Sequence, residues 1–194
     1  MKSALVAAVM LASACSPSRR ETAASPSATV GATAVAGTTA AKAPSARATD
    51  ARWLAARDED PAALMRLAAS EGAAGLLDGL DDGSETAATA LRALPHADDA
   101  EAALGRLASR AAAAPGEQRG PLLATILAIA GEPRRQREAL DADGVRSCAE
   151  AMISLASRAD VPREERATAV SAARALAEKG YADPHRIPGD LDSK

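Results

Sequence analysis

The chain has 194 residues and a formal net charge of −3, from 23 Lys and Arg against 26 Asp and Glu. It contains no Phe, one Trp, one Tyr and two Cys, so its core must be assembled from aliphatic side chains, and a fold stapled by several disulfides is excluded. The charges are interspersed with no large basic block, which leaves nothing suited to neutralising a phosphate backbone and argues against nucleic acid as a partner.

Residues 1–14 read as a signal peptide, with Lys2 ahead of an apolar run over 4–11 and small residues after it. A membrane span needs about 20 apolar residues, far more than this run supplies. The cleavage region Ala12-Ser13-Ala14-Cys15 resembles the lipobox of bacterial lipoproteins, although Ala12 stands where that family favours leucine and Leu11 lies one place earlier. The resemblance implies that Cys15 is lipidated, carrying a thioether-linked diacylglycerol and an amide-linked acyl chain. Two or more chains make a lasting membrane anchor, whereas one alone binds marginally. Ser16 follows the cysteine, and in lipoproteins of this kind a residue there other than Asp goes with the outer membrane over the inner. Ala12-Ser13-Ala14 also satisfies the rule for ordinary secretory cleavage, which would give a secreted soluble product.

Residues 15–50 hold the lipidated Cys and an Ala/Ser/Thr/Pro linker with no hydrophobic period. Such a composition is expected to be disordered, with an end-to-end distance of roughly 30 Å.

From residue 51 to 180 apolar residues recur at spacings of three and four, without strand-like alternation, which predicts an all-α domain. Helices are expected at about 51–57, 61–71, 73–80, 84–94, 99–113, 117–130, 134–140, 144–158 and 162–179. Asp60 before Pro61 is an N-cap followed by a residue of preset φ, and Asp98 with Glu101 forms a capping box. Asp82-Gly83, Pro95, Pro115-Gly116, Gly131, Gly144 and Gly180 punctuate the runs. Each helix carries a narrow apolar stripe that it cannot bury alone, so neighbouring hairpins must stack.

Three units align when their second helices are started at Ser84, Gly116 and Arg163, which brings Leu91, Leu123 and Val170 into one register. The unit lengths are unequal, so the repeat is degenerate. The segment Leu76-Leu77-Asp78-Gly79-Leu80-Asp81-Asp82-Gly83, continuing to Ala90-Leu91-Arg92-Ala93-Leu94, resembles a HEAT or armadillo-like repeat. Arg119 and Arg166 fall where that family places its arginine, and Ala87 takes the place in the first unit. The resemblance implies an α-solenoid, a short stack of antiparallel helical hairpins; an irregular helical bundle is the competing architecture.

Few residues suggest chemistry. His96 and His185 have no sequence-local partners, and Cys148 sits in an apolar stripe as a small core residue. The acids Asp78, Asp81, Asp82 and Glu85 fail the calcium-loop spacing and read as a helix-to-helix turn. Arg134, Arg135 and Arg137 are flanked by Glu132 and Glu138 and read as a solvated first turn, while Trp53 plugs the end of the stack. The tail 181–194 is expected to pack across the last hairpin through Tyr181 and Ile187 before fraying. No catalytic residue, metal site or cofactor is expected. The expected role is an envelope lipoprotein presenting a protein-interaction module; a small-ligand-binding protein or enzyme, anchored or secreted, is the alternative.

Overall fold

The computed structural model describes residues 45–58, 60–133 and 141–189, and all regular structure among them is helical. The signal peptide, Cys15, most of the linker, and the expected helix at 134–140 with Arg134, Arg135 and Arg137 lie outside the described residues. The helices are α1 (Ala46–Thr49), α2 (Ala51–Arg57), α3 (Pro61–Gly79), α4 (Ser84–Ala93), α5 (Leu104–Ala113), α6 (Gly116–Gly131), α7 (Ala142–Ser157) and α8 (Arg163–Glu178). Short 3-10 turns occupy Leu94–His96, Ala100–Ala103 and Pro184–Arg186.

Three hairpins, α3/α4, α5/α6 and α7/α8, stack in sequence order. In the second and third, first helix lies on first helix (α5 on α7) and second on second (α6 on α8), which makes two layers with the core between them. The first hairpin meets the second mainly through the 3-10 turns, with only a light α4–α6 contact. Helix α2 covers the outer side of α3 and α4. The core is aliphatic apart from Trp53: Leu67, Leu76, Leu104, Leu107, Leu123, Ile126, Met152, Leu155 and Leu176 are fully buried. Burying such side chains contributes about 1.5–3 kcal/mol each, before conformational entropy is set against it.

The helix boundaries have local causes. The Asp60 carboxylate accepts from the Ala62 amide and Pro61 occupies the first turn. Gly83 adopts φ 109° immediately before α4, a conformation that L side chains avoid. At the end of α8, Gly180 (φ 83°) donates to Ala177 and Tyr181 to Leu176, the two bonds of a Schellman cap. Helix α3 breaks at Gly72, where φ is 61°, so the two helices expected at 61–71 and 73–80 are both present. The second starts with the Ala73 amide donating to Oδ1 of Asp99 at 2.8 Å, a cap supplied from 26 residues away.

Three boundaries differ from the sequence reading. Helix α1 lies inside the expected linker, because Ser45 caps it and Arg47 pairs with Asp82. Helix α5 is preceded by a 3-10 turn, with Asp99 turned towards α3. Gly144 is inside the first turn of α7, its amide donating to the N-cap carboxylate of Asp141. A Cβ on Gly144 would collide with its own N-cap carboxylate, Asp141, and a Cβ on Gly105 of α5 would stand 3.0 Å from the Gly144 Cα, so α5 and α7 approach backbone to backbone.

Candidate functional site

An open cleft of about 450 Å³ lies on the first-helix layer, lined by Ala102, Gly105, Arg106, Ser109, Arg110 and Asp141. Gly105, which approaches the Gly144 backbone of α7, is one of its lining residues and adds no side chain to it. Its polar walls are already engaged. The Arg110 guanidinium grips Asp81 with two bonds of 2.9 and 2.7 Å, which hold its pKa above the ordinary arginine value. Arg106 lies 3.7 Å from Asp78 with both side chains more than half exposed, and Asp141 caps Gly144. The cleft can therefore exchange ion pairs with a charged partner, most readily at Arg106, whose pairing is the loosest.

The acidic run is explained by cross-chain pairing. Asp78 faces Arg106, Asp81 faces Arg110, Asp82 takes Arg47 at 2.9 Å and Glu85 takes Arg57 at 2.8 Å. Arg47 comes from α1, Arg57 from α2, and Arg106 and Arg110 from α5, so these acids tie α1, α2 and α5 to the first hairpin. Among the described residues no group of His, Cys, Asp or Glu could hold a metal ion.

Cys148 is fully buried, and burial pushes its thiol up to about 12. It is a core residue with its thiolate suppressed. His96 and His185 are exposed on separate 3-10 turns, after α4 and after α8. Trp53 is buried and closes the end of the stack against α3: a Cβ on Gly79 would lie 2.5 Å from its Cη2. Tyr181 and Ile187 pack on the core as expected, with Arg186 forming two 2.6 Å bonds to Glu150.

Arg119 has a role that spacing alone did not disclose. Its buried guanidinium donates to the carbonyls of Ala111 (3.1 Å) and Ala114 (2.6 Å) and to Glu165 (3.0 Å). It thus satisfies orphan carbonyls at the end of α5 while pairing with α8. Register with Arg166 was the only signal of it in the sequence.

No family model, curated protein or solved structure matches the chain. Among the described residues, no helix is long and apolar enough to cross a membrane.

Proposed function

We propose that the chain is an envelope lipoprotein, anchored through Cys15 and presenting its stacked hairpins as a protein-interaction module without catalytic, cofactor or nucleic-acid chemistry of its own. The observation that carries the binding role is the two-layer stack, whose first-helix face offers an open cleft with exchangeable ion pairs. Stacked hairpins of this kind, resembling HEAT or armadillo repeats, provide extended faces that recognise partners by side-chain complementarity. The anchor reading rests on Lys2, the apolar run and Ala12-Ser13-Ala14-Cys15. With Ser16 following, the outer membrane is favoured over the inner.

The anchor is tested by labelling with radioactive palmitate and by membrane fractionation. Wild type should incorporate label and sediment with membranes, whereas Cys15→Ser should do neither; a wild-type chain that is soluble and unlabelled overturns the anchor. The binding role is tested by crosslinking in cells with a photoreactive residue at Ser109, with one at exposed Ser171 of α8 as comparison. A discrete crosslinked protein from 109 and none from 171 supports the cleft as the contact. Equal crosslinking, or none, counts against it.

The alternative of a small-ligand site has one observation in its favour, the cleft's volume, which falls in the range of small-molecule pockets. Its openness and its paired charges favour a protein side.

A further inference from the structure

We propose that α1 is an ionic strap: a short helix closed over Trp53 by Arg47, which salt releases while the remaining helices stay folded. The proposal is independent of the anchor and binding readings.

Three observations carry it. First, none of the four α1 residues is buried, so the helix adds nothing to the aliphatic core and is held by polar contacts. These are Arg47 Nη1 on Asp82 Oδ2 at 2.9 Å, 35 residues away, and Arg57 Nη2 on the Ala48 carbonyl at 3.3 Å. Second, the Arg47 guanidinium lies 6.0 Å from the centroid of the Trp53 ring, so one side chain both forms the ion pair and covers the indole. Third, Trp53 is 1% exposed, yet among the described residues its Nε1–H finds no acceptor. Closure therefore carries the cost of a buried, unpaired donor, which opening would relieve by admitting water.

The strap and its latch are thus closely balanced. The Arg47 and Asp82 side chains are 31% and 19% exposed, open enough to be screened. When the strap opens, Trp53 is uncovered next to Leu54, which is already exposed, and an apolar patch appears at the end of the stack.

Trp53 is the only tryptophan, so its fluorescence reports on the strap directly. Acrylamide quenching of the full-length protein should rise as salt increases from about 0.01 M to about 1 M, where the Debye length falls from roughly 30 Å to roughly 3 Å. Asp82→Asn should raise quenching at low salt and flatten the salt dependence, because the population of the open strap increases by roughly two- to fivefold, the range expected for one partly exposed pair. Hydrogen exchange should accelerate over residues 46–51 and stay unchanged over α5 to α8. Arg186→Gln, which removes the Glu150 pair after α8, serves as the control and should leave Trp53 quenching as in wild type. Salt-independent quenching in the unmodified chain overturns the proposal without recourse to any variant. So does accelerated exchange that extends equally through α5 to α8, since that would be loss of the whole fold.

Discussion

The two joints of the stack are built from different materials. Between the second and third hairpins, α5 lies on α7 and α6 on α8, and Leu107, Leu123, Ile126, Cys148, Met152, Leu155 and Leu176 are sealed in the core around them. Between the first and second hairpins, 3-10 turns carrying the buried Leu94, Ala100 and Ala103 replace helix faces, and polar bonds reinforce that apolar contact. These are Asp99 on the Ala73 amide, Arg110 on Asp81, Arg106 on Asp78, and the Thr125 hydroxyl on the Leu91 carbonyl at 3.2 Å. Apolar burial is non-directional and little affected by salt, whereas a polar joint depends on the geometry of a few bonds and on ionic strength. The first joint thus carries exposed ion pairs such as Arg106 with Asp78, whereas the Arg119–Glu165 pair of the second is mostly buried.

The largest test of this contrast is Leu123→Ala. Leu123 is fully buried, and the lost transfer free energy plus the cavity should cost about 2–5 kcal/mol, read as a lower denaturant midpoint at any salt concentration. Next is Asp99→Ala, which removes the cap from Ala73 and should cost about 0.5–2 kcal/mol. Its signature is faster hydrogen exchange over 73–79 while α7 and α8 keep their protection; uniform loss of protection would erase the distinction between the joints.

Cys148 supplies a pH-dependent test of the sealed joint. Its thiol is raised from 9.0 in the unfolded chain to about 12 in the folded one, so the folded state holds its proton to higher pH. Its titration leaves stability unchanged below about pH 9 and lowers it as pH rises from 9.0 to about 12. Melting temperature should fall more steeply over that window in wild type than in Cys148→Ala, and equal slopes would show that the joint admits water. The smallest effect is expected from Arg110→Gln. Its half-exposed pair with Asp81 contributes about 0–1 kcal/mol, and the difference from wild type should shrink as salt is added.

Much of this architecture was legible in the sequence because its signals are local. Gly83, Gly180 and Asp60-Pro61 mark boundaries through backbone conformation and capping, and the helix starts at Ser84, Gly116 and Arg163 are where the alignment of units put them. The stripe around Cys148 likewise foretold its burial. One failure was local, since the turn Ala100–Ala103 starts after Asp99 with no side-chain cap where Asp98 with Glu101 was expected to form a capping box; the others were long-range. Nothing near Asp99 in the chain indicates that it caps Ala73, nothing near Asp82 points to Arg47, and Gly144 reads as a stop until Gly105 is placed against it. The cleft was illegible for the same reason: its lining joins residues of the Ala102–Arg110 stretch to Asp141, far away in the chain.

Arg119 has a consequence for how the array can diverge. Two of its three acceptors are main-chain carbonyls, which no substitution at positions 111 or 114 removes, and only the third, Glu165, is a side chain. Those carbonyls keep the guanidinium hydrogen-bonded when Glu165 is replaced, but they do not neutralise it, and Arg119 would then be a buried cation without its anion. Glu165 without Arg119 would likewise be a mostly buried acid lacking its cation. Substitution at this joint should thus be coupled: loss of either partner alone leaves a mostly buried charge, so the two positions should change together.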